Sequence, residues 1–260
     1  MGTAGAAIAT VIGQAVGAGV GFLFHVRRNL ELPIPLRAIR PHGRIIREIY
    51  AIGFPSILMM CIGSLTNYLM NRILIGFTST AVAVYGAYFK IQSFFFMPVF
   101  GINNGLIPII GYNYGARKRE RIYRSFRYGV LYASCFMLLG FSLFQLIPQV
   151  LLGMFHPSAS MLTIGVAALR RISVHFLVAG FCIVAGSTCQ ALDRSIYSFF
   201  ISVLRQLVAL IPAAWLLSRT GDVNMVWWAF PIAELMSFAA SSFFLRRSFR
   251  RMEQTLRQPD

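Results

Sequence analysis

Acidic residues are the scarcest feature of this 260-residue chain. There are eight Asp and Glu against 24 Lys and Arg, and only 12% of all residues are charged. A soluble domain carries about 25% charged residues, so an apolar core wrapped in a solvated surface is excluded. Cysteine is sparse too. Cys61, Cys135, Cys182 and Cys189 all lie in apolar runs, with no CxxC and no Cys/His spacing. That argues against a disulfide framework or a metal centre, and the four thiols read as small packing groups. A membrane-embedded enzyme would need a nucleophile–base pair, paired carboxylates or metal ligands within its spans. One deep Glu, one His and scattered Ser do not make such a set.

What is present is apolar length. Hydrophobic residues make up 57% of the chain, and they fall in seven runs: 3–25, 48–75, 83–112, 127–151, 160–191, 196–218 and 224–245. A bilayer core of about 30 Å needs roughly 20 apolar residues per helix, so each run predicts one transmembrane α-helix. The first is longer than a signal-peptide core and has no Lys or Arg before Arg27, so it reads as a span. Its Gly5, Gly13, Gly17 and Gly21 form a small-residue stripe suited to close helix packing.

The basic residues cluster between the runs. Arg27, Arg28, Arg37, Arg40, Arg44 and Arg47 fill one segment, and Arg117, Lys118, Arg119, Arg121, Arg124 and Arg127 a second. Arg194 marks a turn, and Arg246, Arg247, Arg250, Arg251 and Arg257 fill the tail. The intervening loops hold only Arg219. A net charge of +16 could indicate nucleic acid, but this alternation is the positive-inside pattern of a membrane protein. Nucleic acid is therefore not expected as a partner, and the lipid bilayer is. The clustered loops are placed in the cytoplasm and Met1 outside. The chain enters its first apolar run almost at once, so further helices are expected upstream.

Polar residues in a span are costly unless they face a cavity or a partner. Ser56, Met60, Ser64, Asn67 and Asn71 share one face of the second run, as a cavity wall or as interhelical hydrogen bonding. In the third run Lys90, Phe94, Met97, Gly101, Asn104 and Pro108 share one face. Gln92, Phe96, Val99 and Asn103 share another. The rings of Phe94, Phe95 and Phe96 suit an amphipathic or cationic compound, or plain packing. Substrate-cavity candidates are thus Met60, Ser64, Asn67, Asn71, Gln92, Phe95, Phe96 and Asn103. Glu234 is the one carboxylate deep in a run and Lys90 the one deep lysine. Their depths differ by about one turn at 1.5 Å per residue, so they are expected to form a buried pair or charge relay. Arg205 is read as snorkelling or bonding backbone carbonyls, and His175 as a hydrogen-bonded histidine.

One stretch carries a resemblance. Met97-Pro98, Gly101, Gly105, Pro108 and Gly111-Tyr112-Asn113-Tyr114-Gly115-Ala116 resemble the MATE (multidrug and toxic compound extrusion) family. Gly53-Phe54-Pro55-Ser56, Gln190-Ala191-Leu192, Arg205-Gln206 and Pro231-Ile232-Ala233-Glu234 agree in order and spacing. The motif residues are Pro55, Pro98, Gly101, Gly111, Asn113, Gly115, Gln190 and Arg205. Gly111 and Gly115 permit non-helical backbone, so the motif reads as a structural terminus. No Gly-Lys-Ser/Thr follows it, so it is not a phosphate loop.

The resemblance implies an all-α, polytopic transmembrane bundle: one six-helix lobe plus one preceding helix, the last seven of twelve. Residues 1–47 would be that helix and an inter-lobe loop, 48–245 the C-terminal lobe, and 246–260 a basic cytoplasmic tail. It implies a multi-pass protein of a bacterial-type plasma membrane. As part of a two-lobe antiporter it would export small amphipathic or cationic compounds in exchange for Na⁺ or H⁺. No cofactor is implied. Some relatives carry a Glu where this chain has Cys61-Ile62-Gly63-Ser64, and acidic residues where 172–191 has none. The coupling ion is therefore expected mainly in the missing N-terminal lobe, which becomes the chain's chief protein partner. Two alternatives stay open: a lipid-linked saccharide flippase, which would need several cationic residues facing its cavity, and a non-transporting partial membrane protein.

Overall fold

The computed structural model describes residues 2–28, 42–192 and 195–257. The side chains of 2, 3, 6, 28, 51–53, 55, 56, 59, 195 and 257 fall outside that description, as do the expected loop residues Arg37, Arg40 and Arg194 and the side chain of Pro55. Every regular element among the described residues is helical. They are α1 (Gly2–Arg28), α2 (Gly43–Ile75), α3 (Ser79–Gly115), α4 (Arg119–Leu146), α5 (Pro148–Gly153), α6 (Ala159–Ile172), α7 (Phe176–Ala191), α8 (Ser195–Val203), α9 (Ile211–Ser218), α10 (Val223–Val226) and α11 (Ala229–Arg257). Among the described residues, six segments are long and apolar enough to cross a membrane: Ala7–Arg27, Ser79–Gly115, Arg119–Leu146, Ala159–Ala191, Ile196–Ser218 and Val223–Leu256. The remaining expected span, 48–75, lies in α2, a continuous helix of 33 residues.

The chain divides into two compact units, Met1–Ala51 and Ile52–Asp260. In the first unit α1 is a single 27-residue helix, and no side chain of that unit stands within 4 Å of a Cβ built on Gly13, Gly17 or Gly21. The expected packing role of that stripe is not used there.

The second unit is built around α7, which packs on α3, α4 and α11. Small residues make the α4–α7 contact close. A Cβ on Gly180 would stand 3.1 Å from the Ala133 carbonyl carbon and 3.1 Å from the Ser134 amide nitrogen. Those are backbone atoms and cannot rotate away. Around this contact lie fully buried Met137, Phe144, Phe176 and Val184.

Two spans depart from regular helix. The fifth, expected as one run over 160–191, is broken by a 3₁₀ turn at Ser173–His175. The Arg170 carbonyl there is covered by Gln145, whose Nε2 donates to Arg170 O (2.8 Å) and to the Ser173 hydroxyl (3.1 Å). The sixth contains a π-helix, Leu204–Leu210, between α8 and α9. Pro212 lies just beyond it. Proline lacks an N–H and its ring crowds the carbonyl four residues back, so a widened turn relieves that crowding.

The Gly111–Ala116 motif differs from expectation. Both glycines are helical, and the left-handed residue is Arg117, at φ 56°. Lys118 N donates to Asn113 O (2.9 Å) and Arg117 N to Tyr114 O (3.1 Å), which is a Schellman closure with arginine where glycine is usual. Beyond residue 245 the chain remains helical through Arg257. There Arg119 and Tyr123 both reach Glu253, the phenol at 2.8 Å, tying the start of α4 to the end of α11.

Two outcomes follow. Gly180→Val should cost about 2 kcal/mol by overpacking, seen as a lower melting temperature in detergent, while Gly105→Ala, where a Cβ meets nothing within 4 Å, should cost nothing. Arg117→Gly should raise the melting temperature, because an L-residue in the left-handed region pays about 1 kcal/mol that glycine does not.

Candidate functional site

A cavity of about 590 Å³ opens within the Ile52–Asp260 unit. α2 supplies Met60, Gly63, Ser64, Thr66 and Asn67. α3 supplies Tyr85, Tyr88, Phe89, Gln92, Ser93, Phe96, Met97 and Phe100. His175 comes from the 3₁₀ turn and Ile183 from α7. Arg205, Gln206 and Leu210 come from the π-helix, and Phe230, Ala233 and Glu234 from α11. Both irregular turns therefore border the cavity.

Its floor is aromatic. The Phe230 ring stands 5.8 Å from Tyr88, 6.1 Å from Tyr85 and 6.1 Å from His175. Phe96 lies 6.1 Å from His175 and 5.4 Å from Phe176. Such tilted and edge-on pairs are favoured by the ring quadrupoles. The 3₁₀ turn sets His175, whose Nδ1 lies 2.5 Å from Ile172 O.

The cavity contains one ion pair. Arg205 Nη1 and Glu234 Oε2 are 3.8 Å apart. The Glu234 side chain is 5% exposed, the Arg205 side chain 31%. Glu234 Oε1 has no nitrogen or oxygen hydrogen-bond partner, and the Cys182 thiol sits beside it. Burying a carboxylate in a span demands a nearby cation. The π-helix, packed against α11, provides it.

The expected Lys90–Glu234 pair does not form. Lys90 is exposed on α3 and is not among the residues that line the cavity, and Glu234 pairs with Arg205 instead. Position along a helix axis does not fix azimuth, and azimuth decides which side chains meet. Arg205 likewise turns inward rather than snorkelling.

Of the cavity candidates, Met60, Ser64, Asn67, Gln92 and Phe96 line it. Asn71, Phe95 and Asn103 do not. Asn71 donates to Asn67 Oδ1 (3.3 Å). Phe95 packs on Phe144 at 5.7 Å and beneath Gly140. Asn103 is 5% exposed within the bundle. Ser64 Oγ also turns back toward Met60 O at 3.5 Å. Sequence reasoning missed Tyr85, Tyr88, Phe230 and Thr66. Tyr88 and Tyr85 precede Gln92 by about one and two turns on the same side of α3, so helical periodicity from Gln92 points to both. Among the motif residues, Gly111 approaches Ala191 O, with 3.8 Å to a built Cβ. Asn113 Nδ2 donates to Ile109 O (2.8 Å). Gln190 is exposed near the end of α7, and Pro98 and Gly101 lie within an unbroken α3.

A family model described as MatE matches residues 55–216, more than half of the chain. The chain belongs to the MATE family. The multidrug export protein MepA of Staphylococcus saprophyticus is 25% identical over 241 residues, covering 91% of this chain and 52% of that protein. MepA of Staphylococcus aureus strain MRSA252 is 24% identical over 242 residues, again 91% and 52%. This chain thus spans about half the length of the curated relatives it matches. Among solved structures, an outward-facing multidrug resistance MATE transporter superposes with a TM-score of 0.84 at 21% identity, over 96% of this chain and 57% of that one. A MOP superfamily transporter from Pyrococcus furiosus does so at 0.82 and 21%, over 98% and 57%. The fold is that of these MATE structures. With six apolar spans and bacterial MepA relatives, the chain is a multi-pass integral protein of the plasma membrane.

The ion pair yields a stability test. Arg205→Met should cost about 2 kcal/mol by leaving Glu234 buried and unpaired, a value reduced from the fully buried case because Arg205 is partly exposed. The double variant Arg205→Met/Glu234→Leu should recover most of that loss in thermal unfolding.

Proposed function

We propose that this MATE chain acts as the C-terminal half of a two-lobe secondary antiporter. It would export small amphipathic compounds in exchange for Na⁺ or H⁺, with an N-terminal lobe as its partner. The observation that carries the reading is the 590 Å³ cavity, large enough for a drug-sized molecule and mostly apolar with a few polar groups, as such sites are. The aromatic floor supplies contact area, and Gln92, Asn67 and Gln206 supply orientation.

The coupling ion is assigned mainly to the N-terminal lobe. Glu234 is the one carboxylate in this cavity, and the Arg205 guanidinium stands 3.8 Å from it. A sodium ion would have to share the carboxylate with that fixed positive charge, which disfavours it by Coulomb repulsion. Alternating access would rock one lobe against the other around the shared space.

The test is ethidium accumulation in a drug-sensitive strain, with and without a Na⁺ gradient. The chain would be expressed alone and together with the N-terminal half of the S. saprophyticus MepA. Efflux in the pair and none in the chain alone supports the proposal; well-inserted protein with no efflux in either removes it. In the active pair, Phe96→Ala should reduce efflux several-fold. Lys90→Ala, outside the cavity lining, should leave it unchanged.

A further inference from the structure

The cavity's charge pair is lopsided. Glu234 is held behind, 5% exposed, and Arg205 stands in front, 31% exposed. The charge facing the open space is therefore the guanidinium. At 3.8 Å the pair is an electrostatic contact and not a hydrogen bond. Arg205 donates no hydrogen bond among the described residues. A guanidinium carries five N–H donors in a fixed fork and no acceptor. Two other lining residues, Thr66 and Tyr88, are buried with hydroxyls that have no hydrogen-bond partner. The remaining titratable groups on the wall are Tyr85 and His175, and the histidine's Nδ1 is engaged at Ile172 O. One unpartnered acceptor, Glu234 Oε1, lies behind the guanidinium, so the group that meets the open space beside the apolar aromatic floor is the donor-only guanidinium.

We infer that the cavity is a receptor for amphipathic aromatic carboxylates, with the carboxylate on the Arg205 guanidinium and the ring system against Phe96 and Phe230. The guanidinium fork matches carboxylate geometry in a bidentate way, which a lysine ammonium cannot do. A cationic amphiphile fits less well, because its charge must reach Glu234 past Arg205. The biological meaning rests on the efflux reading above, but the binding geometry does not need transport to be tested.

The experiment uses the 260-residue chain in lipid nanodiscs. It measures equilibrium binding of radiolabelled naphthalene-2-carboxylate and naphthalene-2-methylammonium, one ring system with opposite charge. The carboxylate should bind at least about tenfold more tightly, as charge-assisted bidentate hydrogen bonding predicts. Arg205→Lys keeps the charge, loses the fork, and should weaken carboxylate binding about fivefold or more. Glu234→Gln removes the competing anion and should tighten it. Tighter binding of the ammonium, abolished by Glu234→Gln, would overturn the proposal. So would equal binding of both, unchanged in Arg205→Lys, which is partition into lipid only. The wild-type comparison decides even if a variant does not fold. Efflux without carboxylate binding overturns this inference alone, and binding without efflux in the paired assay overturns the transport reading alone.

Discussion

In hydrocarbon a backbone amide or carbonyl without a partner costs several kcal/mol, because no water is there to serve it. This constraint orders the structure. Continuous helix satisfies it by default, and the departures from helix are where the chain must find other partners. At Ser173–His175 the partner is Gln145, reaching across from α4. At the end of α3 it is the chain itself, folded back so that Lys118 and Arg117 serve Asn113 and Tyr114. Within helices, Ser93, Ser142 and Thr188 bond the carbonyls four residues earlier. These hydroxyls are absorbed locally, whereas those of Thr66, Tyr88, Ser237 and Ser241 are buried without a nitrogen or oxygen hydrogen-bond partner.

The same constraint explains the position of the cavity. A 3₁₀ turn tightens one wall and a π-helix widens another, and each brings a polar side chain inward. His175 comes from the first, Arg205 and Gln206 from the second. π-turns recur at functional sites in helical proteins. Here the reason is mechanical: Pro212 obstructs regular pitch, and the displaced turn aims Arg205 at the carboxylate of α11. The 3₁₀ turn leads directly into α7, whose close contact with α4 through Gly180 leaves no room for a side chain.

How much of this was legible in the sequence follows from which forces act locally. The spans were visible because apolar length is a one-dimensional quantity. The lining roles of Gln92 and Phe96 were visible because helical periodicity places them on one face. The Lys90–Glu234 pairing was not, since the rotation of two helices about their own axes is set by tertiary packing. Nor was the break at Ser173–His175, in a run that is apolar throughout, or the left-handed turn at Arg117, which two nearby glycines disguised. Arg205 was flagged as deep and polar, but its direction depends on a π-turn whose only sequence mark is Pro212.

The π-turn also has a geometric consequence. Seven residues, Leu204–Leu210, run with more residues per turn than the helices on either side. Removing one residue's worth of excess winding would turn α8 by about 100° relative to α9. Arg205 would swing out of line with Glu234, and the ion pair would be lost. The ion pair of the cavity thus depends on a helix that is out of register with itself.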